Sequence, residues 1–588
     1  MFKQLFKYIE LNLHPKTTIF VHNLGSFDGY FIFKYASNIY NIKSVKSIID
    51  NQNKFILIEV KKIKFVDSHR IFAISLNALC DVFNHGEGKT SAYNSEFNSL
   101  NMFKNPELLN KFRIYADNDS IVLYKCMLKA SILYQENYDV DISQVVSMSS
   151  LSMLIFRKKF LNVKIPVLNH KLDEFIRDSY YGGATDYYIK YAKKVYYYDV
   201  NSLYPFAMLK DLPLKPPLPQ PESGQRIKWI DDSIKLSDFF GFALVKVYCP
   251  VNISKPLLPK KHKGKTIFPT GTWIGIYYSE ELKAVEKYGY KVEIIKGLEF
   301  SKAKIFTDYI NHFYEIKKTS TGPLRFIGKN HLNYLYGLFG RLKTVLETIT
   351  ILNTEIEFYL VSRIIKNIIK IDDEKSVLLT MQNIDTDIVS ELNSTLETEL
   401  LNYESIVKTN VAIASAVTAN ARIHMIPFKI SNETCYTDTD SVFTTLELPN
   451  NLIGEDLGMM KDELKGLVIE EAYFFDIKKY GYWYIDQQGQ RVYKSTVAGV
   501  KRNSLSWSDL ECLASGGSLT KVLPKVFYKN INNLSIEIKD INTTISNNPS
   551  KKCINNRYIP IDVFEVDHKF AMLTLTNKLK YRIKHWIV

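Results

Sequence analysis

The chain has 588 residues, 46% of them hydrophobic and 13% aromatic, and its 76 Lys and Arg exceed its 62 Asp and Glu to give a net charge of +14. This length and apolar content exclude a small single domain and general disorder. The basic surplus favours a polyanionic partner, with nucleic acid first and an anionic membrane second, although simple solubility would also explain it.

Cysteine usage and the start of the chain bear on its compartment. The six cysteines are scattered and form no Cys-x-x-Cys pair, which disfavours a zinc site or disulfide framework and favours a reducing compartment. No apolar run approaches the roughly 18 to 20 residues that span a bilayer, and the start, MFKQLFKYIELNLHPK, lacks signal- or transit-peptide features. Lys, Asn, Ile, Tyr and Phe are abundant, as in a very AT-rich gene. An organelle-resident genetic element would produce this bias and need no import signal, and we predict no membrane partner.

Strand-like and helical stretches alternate along the chain. Short β-patterned runs such as KTTIFVHN, KKIKFVDS and KKVYYYDVNSLYP stand between longer helical ones, which predicts an α/β multidomain protein. Breaks are expected at SYYGGATDYY (179–188) and at the proline-rich linker 211–224, since Pro disrupts helices and central strands. Residues 342–400 are predicted to be helical and polar, and SELNSTLETELLNYES is their most amphipathic part.

Three aspartates are candidates for a metal site. Asp199 ends a β-branched and aromatic run, and Asp438 and Asp440 stand two residues apart in a strand-like segment. Residues i and i+2 of a strand face the same side, so the two carboxylates would repel each other without a cation. A lone Asp at a strand end is usually a turn or cap residue. Converging carboxylates would instead suit Mg²⁺, which binds few carboxylates plus substrate phosphates.

The segment GKNHLNYLYGLFGR has two stripes at helical spacing. Leu332, Leu335 and Phe339 form a predicted core face. The other stripe carries Lys329, Asn333, Tyr336 and Gly340, which are suited to gripping a nucleotide because Lys offers a point charge to a triphosphate. Taken alone, that stripe could equally be a solvated face.

These segments together resemble a known family. DVNSLYP, KNHLNYLYG and YTDTDS, in this order, are similar to motifs A, B and C of family B DNA polymerases, except that Tyr334 stands where Ser is usual. The resemblance implies an RNase H-like 3′-5′ exonuclease-type domain followed by a right-hand palm, fingers and thumb polymerase domain. It also implies template-directed nucleotidyl transfer by two Mg²⁺ ions, with Mn²⁺ as a substitute.

The resemblance assigns roles to individual residues. The catalytic set is Asp199, Asp438 and Asp440, and the metal ligands are Asp199, Asp440 and the carbonyl of Val200, with Asp438 the less direct ligand. The nucleotide-binding set is Ser202, Leu203, Tyr204, Lys329, Asn333 and Tyr336. DNA contacts are implied for Tyr180, Gly182 and Gly183, which match a Tyr-x-Gly-Gly motif, and for Lys478 and Tyr480, which match a Lys-x-Tyr motif.

Exonuclease motifs are only partly present. HNLGSFDG resembles the second such motif through Asn23, Phe27 and Asp28, SLNAL resembles a single-strand-binding motif through Ser75 and Leu76, and YADND resembles the third through Tyr115 and Asp119. The first motif, Asp-x-Glu, is missing because residues 1–22 contain no Asp. We therefore expect an N-terminally incomplete exonuclease-like domain, from truncation or decay, and doubtful proofreading.

The long intervals between motifs resemble those of the protein-primed subgroup, and linear mitochondrial plasmid polymerases are the nearest likeness. This likeness implies a mitochondrial location, with the gene on organelle DNA or a plasmid and no import signal. The partners implied are template and primer DNA, dNTPs and a terminal protein, and the chain is expected to be a monomer. The predicted domains are: exonuclease-like, 1–135; connector, 136–190; palm, 191–224 and 403–490; insertions that hold the terminal protein, 225–310 and 342–402; fingers, 311–341; and thumb with C-terminus, 491–588.

At the C-terminus, Lys578, Lys580, Arg582 and Lys584 alternate with mostly apolar residues, which predicts either a DNA-gripping strand or an edge strand protected by lysines.

Two other functions are kept open. A non-enzymatic nucleic-acid-binding remnant of such a polymerase would explain the missing exonuclease motif, but the intact Asp199, Asp438, Asp440, Lys329 and Tyr336 disfavour selective decay. An exonuclease without polymerase activity is disfavoured because its own metal motif is the one that is absent.

Overall fold

A computed structural model describes residues 2–40, 44–50, 52–83, 94–168, 170–214, 234–341, 345–362, 364–382, 410–532 and 534–564. The chain divides into two compact units, each assembled from separated segments. The first unit comprises 1–162, 308–409 and 524–541, and the second comprises 163–307, 410–523 and 542–588. None of the helices in the described ranges combines the length and the apolar character that crossing a bilayer requires.

The helices are distributed over both units. They are α1 (Phe2–Asn12), α2 (Asp28–Ile39), α3 (Ser68–Ile71), α4 (Leu76–Phe83), α5 (Pro106–Tyr138), α6 (Met148–Ile155), α7 (His170–Arg177), α8 (Leu203–Met208), α9 (Ser279–Glu286), α10 (Thr307–Thr319), α11 (Gly322–Tyr334), α12 (Ile356–Ser362), α13 (Val411–Ile430) and α14 (Trp507–Ala514). A 3-10 turn follows α11 at Tyr336–Gly340.

The strands before residue 340 are β1 (Thr18–Val21), β2 (Val45–Ile49), β3 (Phe55–Val60), β4 (Ile63–Asp67), β5 (Thr185–Tyr187), β6 (Tyr191–Val200), β7 (Leu212–Pro213), β8 (Gly241–Cys249), β9 (Lys260–His262), β10 (Lys265–Ile267), β11 (Thr270–Tyr278), β12 (Lys291–Glu299) and β13 (Lys302–Ala303). The later strands are β14 (Val345–Leu352), β15 (Ile364–Lys370), β16 (Lys375–Gln382), β17 (Thr434–Asp438), β18 (Ser441–Thr444), β19 (Met460–Asp462), β20 (Ile469–Asp476), β21 (Lys479–Ile485), β22 (Arg491–Val497), β23 (Ser518–Asn530), β24 (Ser535–Ser546), β25 (Cys553–Ile554), β26 (Arg557–Tyr558) and β27 (Asp562–Phe564).

The first unit is organised around a four-stranded sheet in the order β1-β4-β3-β2, in which β1 and β4 are parallel. Residues of β2 alternate between buried and less buried positions, as expected for a strand with one face on a core. Phe33 of α2 and Phe55 of β3 are fully buried there. Ile369, Leu379 and Leu534 join the same core from distant parts of the chain.

The prediction of a helical segment at 342–400 is wrong for most of its described part. Strands β14, β16 and β15 form an antiparallel sheet in that order, and among residues 345–362 and 364–382 only α12 is α-helical. Its strands are rich in Ile, Val and Thr, which fit a pleated, half-buried surface better than a helix. Edge strand β2 meets this sheet where the Ser47 and Thr348 hydroxyls lie 2.8 Å apart. The amphipathic stretch 390–405 lies outside the described residues.

The second unit contains an eight-stranded sheet. Its order is β22-β21-β20-β6-β18-β17-β5, and β19 pairs with the end of β6. Aromatic rings fill its core, including Tyr187, Tyr436, Phe443 and Phe474. Helix α13 is buried along almost its whole length, which its Ala-rich sequence permits because small side chains allow close packing.

A second sheet in this unit has the order β12-β8-β11-β27. It covers much of the interval 225–310, and helix α9 packs on it through Leu282 and Val285. Most of the proline-rich linker, 215–224, and the basic C-terminal stretch 576–588 lie outside the described residues, so their predicted roles stay predictions.

Candidate active site

Asp199 lies at the end of strand β6. The run Val195 to Tyr198 has the β-branched and aromatic residues that favour strands. Asp199 stands opposite Ser441 of β18 on one side and Lys461 of β19 on the other. The strand ends at a turn in which Ser202 has a φ of 56°, and α8 begins immediately after it.

Asp438 and Asp440 occupy the tight turn between β17 and β18. Thr439 between them has a φ of 64°, and the Asp440 N–H donates to the Asp438 carbonyl at 2.8 Å. The Val200 N–H donates to the Asp440 carbonyl, also at 2.8 Å, which ties the turn to the end of β6. The structure thus brings Asp199 and Asp440 to adjoining strand ends.

The electrostatics of this pair are unfavourable for two negative charges. Burial, the neighbouring Asp440 and then Glu463 raise the pKa of Asp199 to about 7, and Lys461 opposes the shift. Burial also raises the pKa of Asp440, with Asp438 and Glu463 contributing and Lys478 opposing. A buried carboxylate beside another carboxylate resists ionisation unless a cation joins them. Asp199 and Asp440 therefore form a site that a divalent cation would stabilise.

Asp438 has a different partner. The Lys478 ammonium donates to both of its oxygens at 2.6 and 2.7 Å, and the Thr185 hydroxyl donates at 3.0 Å. Within the described residues, no group of three or more His, Cys, Asp and Glu side chains could hold a metal ion. The metal-binding roles predicted for the three aspartates stay predictions, and the Lys478 ammonium already balances the charge of Asp438. Two carboxylates remain, a number that suits Mg²⁺ when substrate phosphates complete its shell.

The Tyr-x-Gly-Gly residues lie against this turn. A Cβ on Gly183 would lie 2.7 Å from the Thr439 hydroxyl oxygen, so no larger residue fits unless the turn moves. A Cβ on Gly182 would meet nothing within 4 Å. The Thr439 N–H donates to the Ala184 carbonyl at 3.1 Å. Burial and the nearby Tyr204 phenol raise the pKa of Tyr180, so the motif also borders the turn after β6.

The two residues of the Lys-x-Tyr motif have different environments. The Lys478 side chain is 56% exposed. Tyr480 is 7% exposed and packs in the aromatic core against Tyr436 and Phe443. Tyr480 therefore supports the strand that carries Lys478, and the contact with DNA predicted for its own side chain is not supported by this burial.

The nucleotide-binding candidates of motif B belong to the first unit. Lys329 and Asn333 are exposed on α11, whereas Tyr336 is half-buried in the following 3-10 turn. The single helix predicted to run through Gly340 ends instead at Tyr334, and Gly337 and Gly340 in the next stretch disfavour its continuation. Leu332, Leu335 and Phe339 are buried, in agreement with the predicted core face.

The sequence reasoning missed His331, which is fully buried beside that face. Its Nδ1 lies 2.7 Å from the Ser152 hydroxyl and its Nε2 lies 2.9 Å from the Tyr134 hydroxyl. Burial lowers the pKa of His331 to about 3, so the ring is neutral. Lys461 and Glu463, beside Asp199, were also missed, since only the pairing of β19 with β6 brings them there.

The exonuclease-like residues lie in the first unit. Asn23 has a φ of 66° just before the 3-10 turn that precedes α2, and Asp28 begins that helix. The Ser75 hydroxyl accepts the Ala78 N–H at 3.3 Å, and the Leu76 side chain is nearly buried. Tyr115 and Asp119 lie one turn apart on α5.

A buried carboxylate, Asp67, organises the Asn23 segment. It accepts the N–H groups of Asn23 at 2.8 Å, Gly25 at 3.1 Å and His69 at 2.9 Å. The sequence reasoning missed Asp67, although its position at the end of the run KKIKFVDS was a signal for a strand-end cap.

Solved structures show which fold this is. The chain is similar in structure to "Phi29 DNA polymerase complexed with primer-template DNA and incoming nucleotide substrates (ternary complex)", with a TM-score of 0.68, 17% identity and coverage of 93% of both chains. The fold is therefore that of a family B DNA polymerase, with exonuclease-type and palm, fingers and thumb domains, as predicted.

Sequence comparisons identify the family. Residues 12–434 match the model for DNA polymerase type B, organellar and viral, and the chain belongs to that family. A "Probable DNA polymerase" of Podospora anserina is 34% identical over 62% of this chain and 31% of its own length. Another of Neurospora intermedia is 31% identical over 83% of this chain and 54% of its own length. The chain thus spans between about a third and about half of these curated relatives.

Proposed function

We propose that this chain is a DNA-directed DNA polymerase that joins nucleotides by two-metal transfer, in the protein-primed replication of a linear mitochondrial plasmid. The single observation that carries the proposal is the pair Asp199 and Asp440 at adjoining strand ends, with raised pKa values that call for a cation. Family membership supports the polymerase reaction. The abundance of Lys, Asn, Ile, Tyr and Phe, as expected from a very AT-rich gene, and the fungal relatives support the plasmid origin.

In this mechanism Asp199 and Asp440 would hold the ions, and the Val200 carbonyl would be a further ligand. Bound Mg²⁺ would supply the charge that activates the attacking hydroxyl and stabilises the transferred phosphate. Lys478 keeps Asp438 neutralised, so Asp438 orients the turn rather than competing for metal.

The remaining candidates bind the nucleotide and the DNA. The exposed Lys329 and Asn333 on α11, with Tyr336, grip the incoming dNTP, and Lys329 meets its triphosphate. The amides of the turn Ser202–Tyr204 cradle the phosphates, and the Tyr204 ring crowds the position of a ribose 2′-hydroxyl. Tyr180, Gly182 and Gly183 contact the template, and Lys478 steadies the primer end. Catalysis then comes mainly from positioning and electrostatics.

The test is primer extension with purified 588-residue protein, Mg²⁺ and dNTPs. Wild type should extend a primer on a template, and Asp440→Asn should lower the rate by about a thousandfold or more, since several kcal/mol of charge stabilisation disappear. DNA affinity should stay nearly unchanged. Asp238→Asn, at an exposed carboxylate of the same unit, is the matched control and should extend at the wild-type rate.

Wild-type protein that binds DNA but never extends a primer would establish the alternative, a catalytically decayed DNA-binding remnant. Protein priming has its own readout in the DNA that the enzyme copies. A protein linked to the 5′ ends of this DNA should protect them from a 5′ exonuclease. A residual peptide that stays linked after proteinase treatment should still protect them. Free 5′ ends that are digested at once would contradict protein priming.

A further inference from the structure

A buried ion pair joins two helices behind the Tyr-x-Gly-Gly segment. Arg422 of α13 donates through Nε to one oxygen of Glu281 at 2.6 Å, and through Nη2 to the other oxygen at 2.7 Å. Glu281 lies in the first turn of α9, and both side chains are 3% exposed. Such a bidentate pair fixes the planes of both groups, which a single contact would leave free to rotate.

The remaining nitrogen of the same guanidinium binds two backbone carbonyls. Arg422 Nη1 donates to the Tyr181 carbonyl at 2.9 Å and to the Gly182 carbonyl at 2.7 Å. The Tyr181 ring is stacked on that of Tyr277, the next-to-last residue of β11, with 5.9 Å between the ring centroids. One arginine thus fixes two consecutive carbonyls of the segment, and its own orientation is fixed by Glu281.

The segment continues directly into the carboxylate turn. Gly183 fits against Thr439 without room for a side chain, and the Ala184 carbonyl accepts the Thr439 N–H. Thr439 stands between Asp438 and Asp440 in the left-handed conformation. A shift of the Tyr181 and Gly182 carbonyls would therefore move the backbone that presents Asp440.

We propose that the Arg422–Glu281 pair is a positioning device through which α9, in the interval 225–310, fixes the geometry of the Asp440 turn. The proposal rests on the proposed function for its catalytic consequence, whereas its structural consequence is independent of it. Neither side chain touches reacting atoms. The device needs arginine, because the compact lysine ammonium cannot hold a carboxylate at two points and reach two carbonyls as well.

The experiment compares Arg422→Lys and Glu281→Gln with Glu280→Gln. Glu280 is the neighbouring residue on α9 and pairs with Lys283 at 2.8 Å near the surface, so it is a matched control. Hydrogen exchange of the Thr439 amide is measured first, without DNA or nucleotide. Both test variants should exchange this amide about tenfold faster than wild type, because its hydrogen bond to Ala184 is loosened. Glu280→Gln should exchange at the wild-type rate.

Steady-state incorporation is the second readout. The test variants should lower kcat by about ten- to a hundredfold, since small misplacements of a catalytic group cost rates of this order, while the KM for dNTP changes less than about threefold. The double variant should be no worse than the poorer single variant, because both substitutions break one device. Wild-type exchange and wild-type kcat in Arg422→Lys would reduce the pair to a purely structural contact.

The experiment also distinguishes a variant that fails to fold from a wild-type protein that has no polymerase activity. If a single variant does not fold, Glu281→Asp keeps the buried charge but shortens its reach by one methylene. It carries the same prediction, and unchanged Thr439 exchange in it contradicts the proposal. If wild type incorporates no nucleotide, the proposed function fails, yet faster exchange in the test variants still supports the positioning role.

Discussion

At the scale of single residues, the Asp438–Asp440 pair separates into two different environments. Asp438 is neutralised by Lys478, which lies 40 residues further along the chain. Asp440 has a raised pKa beside Asp199. Spacing alone treats the two aspartates as equivalent, but only one of them is left with a charge that a metal ion would have to balance.

Lys329 is expected to act on the nucleotide and not on the DNA. Lys329→Ala should raise the KM for dNTP by about tenfold, the loss expected for a charge-assisted contact with the triphosphate. Lys318→Ala, at an exposed lysine near the end of the preceding helix α10, is the control. Titrating dNTP in primer extension measures the effect, and an unchanged nucleotide dependence would remove Lys329 from the binding site.

His331 should make the stability of its unit sensitive to acid. Its pKa in the folded state is about 3, below the ordinary value of 6.5, so the unfolded chain binds the extra proton below pH 6.5. The stabilisation is complete above pH 6.5 and is lost as pH falls towards 3. Between pH 7 and pH 5 the free energy of unfolding should drop by about 2 kcal/mol from this group.

Urea unfolding of His331→Gln at both pH values checks this contribution. The variant should lack that part of the acid-dependent loss, whatever its stability at pH 7. The exposed His14 provides the control, since His14→Gln should keep the wild-type dependence. If the free energy of unfolding fell equally between pH 7 and pH 5 in His331→Gln and in wild type, the buried ring would not be the group responsible.

At the scale of elements, the candidate active site consists of turns that are held close together by pairing between strands. Strand β6 carries Asp199, β18 begins just after Asp440, and β5 brings Gly183 against Thr439. The strands fix the backbone, and the short turns between them aim the side chains. Function then depends on whether two turns can approach closely.

The adjacent glycines Gly182 and Gly183 test this dependence. Gly183→Ala should lower kcat by about ten- to a hundredfold, because its Cβ would displace Thr439 and with it Asp440. Gly182→Ala should lower kcat far less, since its Cβ would meet no protein atom within 4 Å, and its effect should fall on DNA affinity instead. Single-nucleotide incorporation measures both, and equal effects in the two variants would show that close approach is not the reason for Gly183.

At the scale of the molecule, both units are assembled from segments far apart in the chain. The core of the first unit joins α2 and β3 with Ile369, Leu379 and Leu534. Each of these segments buries an apolar face that would otherwise meet water, which favours a shared core over separate small domains.

The 588-residue chain is expected to be a poor 3′→5′ exonuclease. Of the motif carboxylates it carries Asp28 and Asp119, and two-metal hydrolysis needs more ligands than these two supply. Degradation of labelled single-stranded DNA should be far slower than primer extension under the same conditions. Rapid, Mg²⁺-dependent degradation that disappears in Asp119→Ala would show that another acid completes the site.

The local sequence pattern alone was sufficient to predict several features of this protein. The order of the polymerase motifs predicted the family and the fold, which the comparisons confirm. The aromatic and β-branched run before Asp199 predicted a strand, and the apolar stripe Leu332, Leu335 and Phe339 predicted a buried face. Such features depend on residues close together in sequence, where periodicity and propensity act directly.

Other features were decided only by the tertiary structure. The partners of Asp438 and Arg422 lie 40 and 141 residues away in the chain, and the pairing of β19 with β6 brings Lys461 beside Asp199. The described part of the segment predicted to be helical, 345–382, contains a sheet instead, because its apolar residues could be buried against strand β2 and its core. Local propensity is worth a fraction of a kcal/mol per residue, roughly 0 to 1, whereas burial of one large apolar side chain is worth about 1.5 to 3 kcal/mol, so packing between distant segments decides such cases.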